Sequence, residues 1–104
     1  MRKVPLSNET RRRLDALFRE PQRQEATRLL IDECGNNLPF LERLGEDQLE
    51  RVRFAALKLS NGDLAALRRA VDLAKTDWRD LLMAAGFGLD VHAHESWFPG
   101  GHAA

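Results

Sequence analysis

Leu49, Val52, Ala56 and Leu59 recur at spacings of three, four and three residues, and fifteen positions later Leu64, Leu67, Val71 and Ala74 repeat the rhythm. Each set falls on one face of an α-helix. Between them Ser60-Asn61-Gly62 is turn sequence, and Asp63 starts the next helix. Glu46, Asp47 and Glu50 lie in the first turn and Lys58 in the last, which complements the helix dipole. Two apolar stripes joined by so short a connection bury most readily against each other. Residues 46–75 therefore predict an antiparallel αα-hairpin.

The flanking sequence is punctuated for more helices. Ser7 reads as an N-cap, with Leu14, Leu17 and Phe18 on one apolar edge. Pro21 suits the first turn of a second helix, where its missing N–H costs nothing. Ala26, Leu29, Leu30 and Cys34 are that helix's stripe, and Gly35 is expected as its left-handed cap. Asn36-Asn37 continue the turn. Pro39 then opens a short helical turn carrying Phe40, Leu41 and Leu44, which Gly45 is expected to stop. Beyond the hairpin, Trp78, Leu81 and Ala85 keep the phase of the 64–74 stripe, but Thr76-Asp77 looks like a fresh N-cap. One continuous helix from 63 to 85 is open as an alternative, a break or kink near Thr76 is favoured, and Gly86 ends the element either way.

Gly88, Pro99, Gly100 and Gly101 interrupt any regular pattern in the C-terminal segment. Residues 88–104 read as an irregular tail, frayed at its end, with Leu89, Val91, Trp97 and Phe98 available to dock on the core. No useful apolar–polar alternation occurs and the chain has no Tyr, so no strand is expected. The fold class is all-α: a small bundle of about five helices around a central hairpin, in a single domain of 104 residues.

Charge and cysteine usage exclude several function classes. The 16 Lys and Arg balance 16 Asp and Glu, so no global field favours a polyanion. One cysteine leaves no internal disulfide framework and no Cys-based zinc cluster. No apolar run reaches membrane-spanning length, and Met1-Arg2-Lys3-Val4-Pro5-Leu6 carries no apolar stretch behind its basic flank. A cytoplasmic protein without cofactor or membrane partner is expected. Charge is nevertheless uneven: residues 1–30 hold eight Lys and Arg against four Asp and Glu, net +4, and the remainder is net −4.

Candidate chemistry is sparse. Arg11-Arg12-Arg13 is the densest basic spot, although consecutive residues spread around a helix and read first as a solvated face. The hairpin has the outline of a helix-turn-helix with Arg68 and Arg69 exposed on its second helix. Asp63 in that helix's first turn argues instead for an ordinary bundle hairpin. His92, His94 and Glu95 have the donor types of half a metal site. His94-Glu95 is not a zincin motif, because Phe98 stands where the second His is required. Ser96 near His94 lies in no nucleophile elbow. Cys34 follows Asp32 and Glu33 at a helix C-terminus, which disfavours a thiolate, so a small buried hydrophobe is expected. Trp78, Leu81, Leu82 and Ala85 read as core, whereas Met83 and Phe87 fall off that stripe. Trp and Met on a second face are candidates for a protein-binding surface, but the same residues read first as core that covers the C-terminal tail.

The segments Cys34-Gly35-Asn36-Asn37-Leu38-Pro39, Arg51 through Ser60, Asp77 through Leu82 and Ala85-Gly86-Phe87 resemble parts of small uncharacterised helical proteins from bacteria, over about two thirds of the chain. The resemblance implies a toxin-neutralising, immunity-like role as one concrete possibility. It carries no functional residues with it.

The expected function is that of a small non-enzymatic protein-interaction module whose basic N-terminal end and acidic remainder orient a partner protein. Its candidate contact residues are Arg11, Arg12, Arg68, Arg69 and Asp80, with Trp97 as a tail anchor. The alternative is nucleic-acid binding through the Arg-rich first helix. A third reading uses His92, His94 and Glu95 as a metal-binding or catalytic tail. A homodimer is left open.

Overall fold

The computed structural model describes residues 3–35, 38 and 41–101, with residues 41–46 and 101 described by their backbone alone. Among them are four α-helices and no strand: α1 (Asn8–Leu17), α2 (Gln22–Glu33), α3 (Leu41–Ser60) and α4 (Leu64–Ala85). Two short 3-10 turns come after α4, at Ala93–Ser96 and Pro99–Gly101. The all-α class holds, with four helices in place of about five. The expected turn at Asn36-Asn37, the opening at Pro39-Phe40 and the terminal His102 lie outside the described residues.

The fifth helix disappears because Gly45 does not end a helix. The element expected to close at Leu44 and the one expected to begin at Glu46 are the single helix α3. A glycine inside a helix costs only about 1 kcal/mol relative to alanine. The burial of the rest of α3 outweighs that. The antiparallel hairpin is correspondingly longer than 46–75, running from Leu41 to Ala85.

Local capping conforms closely to the sequence. The Ser7 hydroxyl accepts from the Thr10 N–H at 3.1 Å, and Asp63 caps α4 by accepting from the Ala65 N–H at 3.1 Å. The α3–α4 turn places Asn61 and Gly62 in the left-handed region, at φ +48° and +83°. The expected kink falls at Asp77, whose φ of −155° and ψ of 88° leave the helical region. Its carboxylate caps the resumed helix, accepting from the Asp80 N–H at 3.2 Å. Gly86 (φ +83°) ends α4, and its N–H returns to the Leu82 and Met83 carbonyls.

One cap differs. Gly35 is not left-handed; α2 ends at Cys34, with φ −128° and ψ 58°. Gly35 is needed for space. A Cβ there would sit 3.0 Å from the Ile31 carbonyl oxygen and 3.1 Å from Nη2 of Arg53.

Helix α3 is the axis of the core. Helices α1 and α4 pack on it and on α2. From Arg51 to Leu57 every residue is buried, so this stretch of α3 hides its whole circumference rather than one stripe, Arg51 and Arg53 included. Phe54, Leu57, Leu67, Leu81, Leu14, Leu30 and Phe18 are among the largest side chains in the shared core. Cys34 belongs to it as expected, and burial pushes its thiol pKa up to about 12. Among the described residues no helix is long and apolar enough to cross a membrane.

Candidate interaction surface

The chain leaves α4 by turning inward. After Gly86, Phe87 enters the core and is 2% exposed. The chain then runs back over α3 through the Ala93–Ser96 turn. Three basic side chains hold this path. Lys58 Nζ donates to the Ala85 carbonyl at 2.8 Å and lies 4.9 Å from the Phe87 ring centre. Arg51 Nη2 donates to the Phe87 carbonyl. Arg13 Nε donates to the Trp97 carbonyl at 2.9 Å.

These contacts gather four rings. His94 meets Phe54 edge to face at 5.2 Å between centres, and Phe87 at 6.2 Å. Trp97 stands 6.2 Å from Phe54 and 6.3 Å from Phe87. Trp97 is half-buried against the core. Phe87 is core, not a second-face residue. Aromatic pairs in such geometries each contribute about 0.5–1.5 kcal/mol beyond their buried area.

The described part of the tail is therefore docked, although its backbone is largely irregular. Its own apolar side chains divide between two fates. Trp97 and Phe98 are half-buried, whereas Leu89 is 94% exposed and Val91 59% exposed. Met83, on the outer face of α4, is 56% exposed. These three are the exposed large hydrophobic residues among those described. Beside Met83, Trp78 is half-buried and Arg79 lies 5.4 Å from its ring centre.

Two open depressions mark this side. One, of about 390 Å³, is lined by Trp78, Arg79, Leu82, Met83, Gly88 and Arg51. The other, of about 340 Å³, is lined by Asp47, Glu50, Arg51, Val91, His92 and Glu95, among others. Arg51 is common to both. A charged groove of about 310 Å³ lies elsewhere, between α2 and α4, and includes Glu25, Asp32, Glu33, Arg68 and Lys75. Its charges are largely paired: Lys75 with Glu33 at 2.7 Å, and Arg68 with Glu25 at 3.9 Å.

The charged candidates do not converge. Arg11 and Arg12 are exposed on α1, with Arg12 3.1 Å from Glu9. Arg68 and Arg69 are exposed on the first half of α4, and Asp80 on its second half beyond the kink. Arg13, the third member of the basic cluster, is 5% exposed. The imidazoles also part ways. His92 is exposed, with Nδ1 2.8 Å from Glu95 Oε2, and that hydrogen bond raises its pKa and lowers that of Glu95. His94 is buried, and desolvation lowers its pKa. Among the described residues no group of three or more His, Cys, Asp and Glu side chains is arranged to hold a metal ion.

What the sequence reading missed is a set of buried arginines. Arg13, Arg51 and Arg53 are 5%, 7% and 2% exposed. Arg53 donates to the Cys34, Pro5 and Val4 carbonyls at 2.9, 3.0 and 2.8 Å. All three guanidinium groups satisfy carbonyls of segments outside the helices, which have no ladder of their own. The available signal for Arg51 and Arg53 was the apolar run around them, Val52 and Phe54-Ala55-Ala56-Leu57, which sets charged residues among core positions.

No family model, curated protein or solved structure matches the chain.

Proposed function

We propose that this protein is a small non-enzymatic interaction module that binds a partner protein through the outer face of α4 and the tail behind it. The observation that carries this reading is the exposure of Met83 beside half-buried Trp78, with Leu89 and Val91 exposed on the tail that follows α4. Such residues supply contact area that water would otherwise cover, and aromatic residues and Met are enriched in the cores of protein interfaces. The tail that displays Leu89 and Val91 is fastened to the core at Arg13, Arg51 and Lys58, so the strip is pre-organised rather than ordered on binding. Toxin neutralisation, implied by the resemblance to small bacterial helical proteins, is one form that such a module takes.

Nucleic-acid binding through α1 is the weaker alternative. One of its three adjacent arginines, Arg13, is committed to the core.

The test is affinity capture from host lysate with and without nuclease. It compares the wild type with a Met83→Asp/Leu89→Asp variant and an Arg11→Glu/Arg12→Glu variant. A protein retained by the wild type and the α1 variant, insensitive to nuclease and lost from the Met83→Asp/Leu89→Asp variant, supports the reading. Retention by that variant overturns it. Nucleic acid lost only from the α1 variant favours the alternative.

A further inference from the structure

Resting on the interaction-module reading, we infer that the surface around Met83, Arg51 and Val91 accepts a basic amphipathic segment of a partner protein: an apolar row flanked by Lys or Arg. Two depressions share Arg51 as a wall. The first is apolar in character, floored by Leu82 and bordered by Trp78 and Met83. The second is rimmed by carboxylates, with Asp47 and Glu50 from α3 and Glu95 from the tail. Val91 lies on the second and Gly88 on the first, so the exposed tail between them, including Leu89, connects the two.

Carboxylates outnumber cations in the chain segment that carries this surface. From residue 77 to residue 101 the chain carries four carboxylates, Asp77, Asp80, Asp90 and Glu95, and one guanidinium, Arg79. Asp80, Asp90 and Glu95 are exposed, as is Asp47 across the second depression. Arg51, the other cation at the site, is buried and committed to the Phe87 carbonyl. His92 adds charge only when protonated, and it is paired with Glu95. Carboxylates on the second depression, continuous with the apolar first one, favour a partner whose apolar contacts are flanked by cations, and disfavour acidic partners and anionic membrane surfaces. An amphipathic helix laid in a groove is a common solution for such a pattern.

The surface can adapt where a partner side chain would enter. A Cβ built on Gly88 would lie 2.1 Å from Sδ of Met83, so the Met83 side chain lies directly over the Gly88 backbone. Met is a flexible, polarizable contact residue that adjusts to different partner shapes. Arg79, stacked on Trp78, is with Arg51 a cation lining the first depression, and it can meet an acidic residue in the partner.

The probe is a synthetic amphipathic helix of Leu and Lys, compared with the same peptide carrying Glu for Lys and with one carrying Ser for Leu. Binding is measured by calorimetry on the full chain, and folding of every variant is checked by circular dichroism. The Leu/Lys peptide is expected to bind, with affinity falling on added salt. Met83→Asp and, separately, Asp47→Lys/Glu95→Lys are each expected to weaken it about tenfold or more, a loss of about 1.4 kcal/mol per tenfold. Equal binding of the Glu peptide or the Ser peptide, or unchanged binding to Met83→Asp, overturns the inference. So does a dimer in sedimentation that Met83→Asp dissociates, which assigns the surface to a second copy. A lysate partner lost from Met83→Asp, with no binding of the Leu/Lys peptide, preserves the interaction module and overturns its basic partner chemistry.

Discussion

The Arg13 guanidinium joins the first helix to the C-terminal tail: its Nε donates to the Trp97 carbonyl at 2.9 Å across 84 residues of sequence. The same group lies 4.4 Å from the Phe54 ring centre and donates through Nη1 to the Glu9 carboxylate at 2.8 Å. Helix, tail and central core residue therefore meet at one side chain. The Arg13–Glu9 contact is helical in origin, at i and i+4, and it holds the Glu9 carboxyl below its ordinary pKa.

Arg13→Ala is expected to destabilise the protein by about 2–4 kcal/mol, because it removes buried packing and leaves carbonyls without donors. Arg13→Lys is expected to recover only part of this, since an ammonium cannot donate in several fixed directions from one plane. Urea unfolding measures the cost. Hydrogen exchange should show the loss of protection concentrated at residues 93–97, and equal loss across all four helices would refute the stapling role.

Leu67 and Phe54 test the core. Leu67→Ala is expected to cost about 2–5 kcal/mol and Phe54→Ala about 3–5 kcal/mol. Phe54 also supports His94, Trp97 and Arg13, so its removal should couple with Arg13→Ala in a double-mutant cycle. Strict additivity of the two would count against the ring cluster.

The two glycines at helix boundaries should differ. Both have φ of +83°, but a Cβ at Gly62 would sit 2.9 Å from the Leu17 carbonyl oxygen, whereas one at Gly86 would meet only Lys58 Nζ at 3.7 Å. Gly86→Ala is expected to cost about 1 kcal/mol from its left-handed backbone. Gly62→Ala should cost more, because the α1 backbone must also move. Equal melting temperatures for the two variants would contradict this.

The kink is held by a side chain as well as by packing. Asp77→Ala removes the cap on the Asp80 N–H and is expected to cost about 1 kcal/mol in urea unfolding. Asp77→Asn should retain most of that stability.

His94 sets a pH dependence with a definite sign. Its folded-state pKa lies below the ordinary value of 6.5 because burial disfavours the imidazolium, and Arg51 and His92 push the same way while Glu95 and Glu50 oppose them. As pH falls through 6.5 the unfolded chain takes up a proton that the folded chain resists, so stability declines with acidification. His92 works in the opposite sense, because Glu95 raises its pKa, but it is fully solvated and contributes little. The melting temperature should fall between pH 7 and pH 5 in the wild type and fall less in His94→Leu. A steeper fall in His94→Leu would reverse the assignment.

Much of the helical framework was legible because its signals are local. Ser7, Asp63, Asp77 and Gly86 act within a turn of themselves, and the 3–4–3 spacing at Leu49–Leu59 and Leu64–Ala74 needs no knowledge of the rest of the chain. Gly45 misled because one unfavourable residue is a weak stop signal against the burial of a long helix. The arginines misled for a related reason. Arg13 is indistinguishable from Arg11 and Arg12 by type and spacing, and only the returning tail carbonyl and the face of Phe54 make it a core residue.

Propensity, capping and periodicity act over a few residues, and the order of amino acids was enough to settle whatever depends on them. The helical class and most of the helix and turn positions belong to that set, whereas the sequence allowed both a continuous helix over 63–85 and the kink that the structure places at Asp77. The burial of residues 51–57 of α3 on every side does not belong to it. Nor does the service of distant carbonyls by Arg13, Arg51 and Arg53, or the docking of Trp97 while Leu89 and Val91 remain outside. Those outcomes arise from which groups meet across tens of residues, where the cost of burying a charged group is offset only by acceptors that the folded chain brings to it.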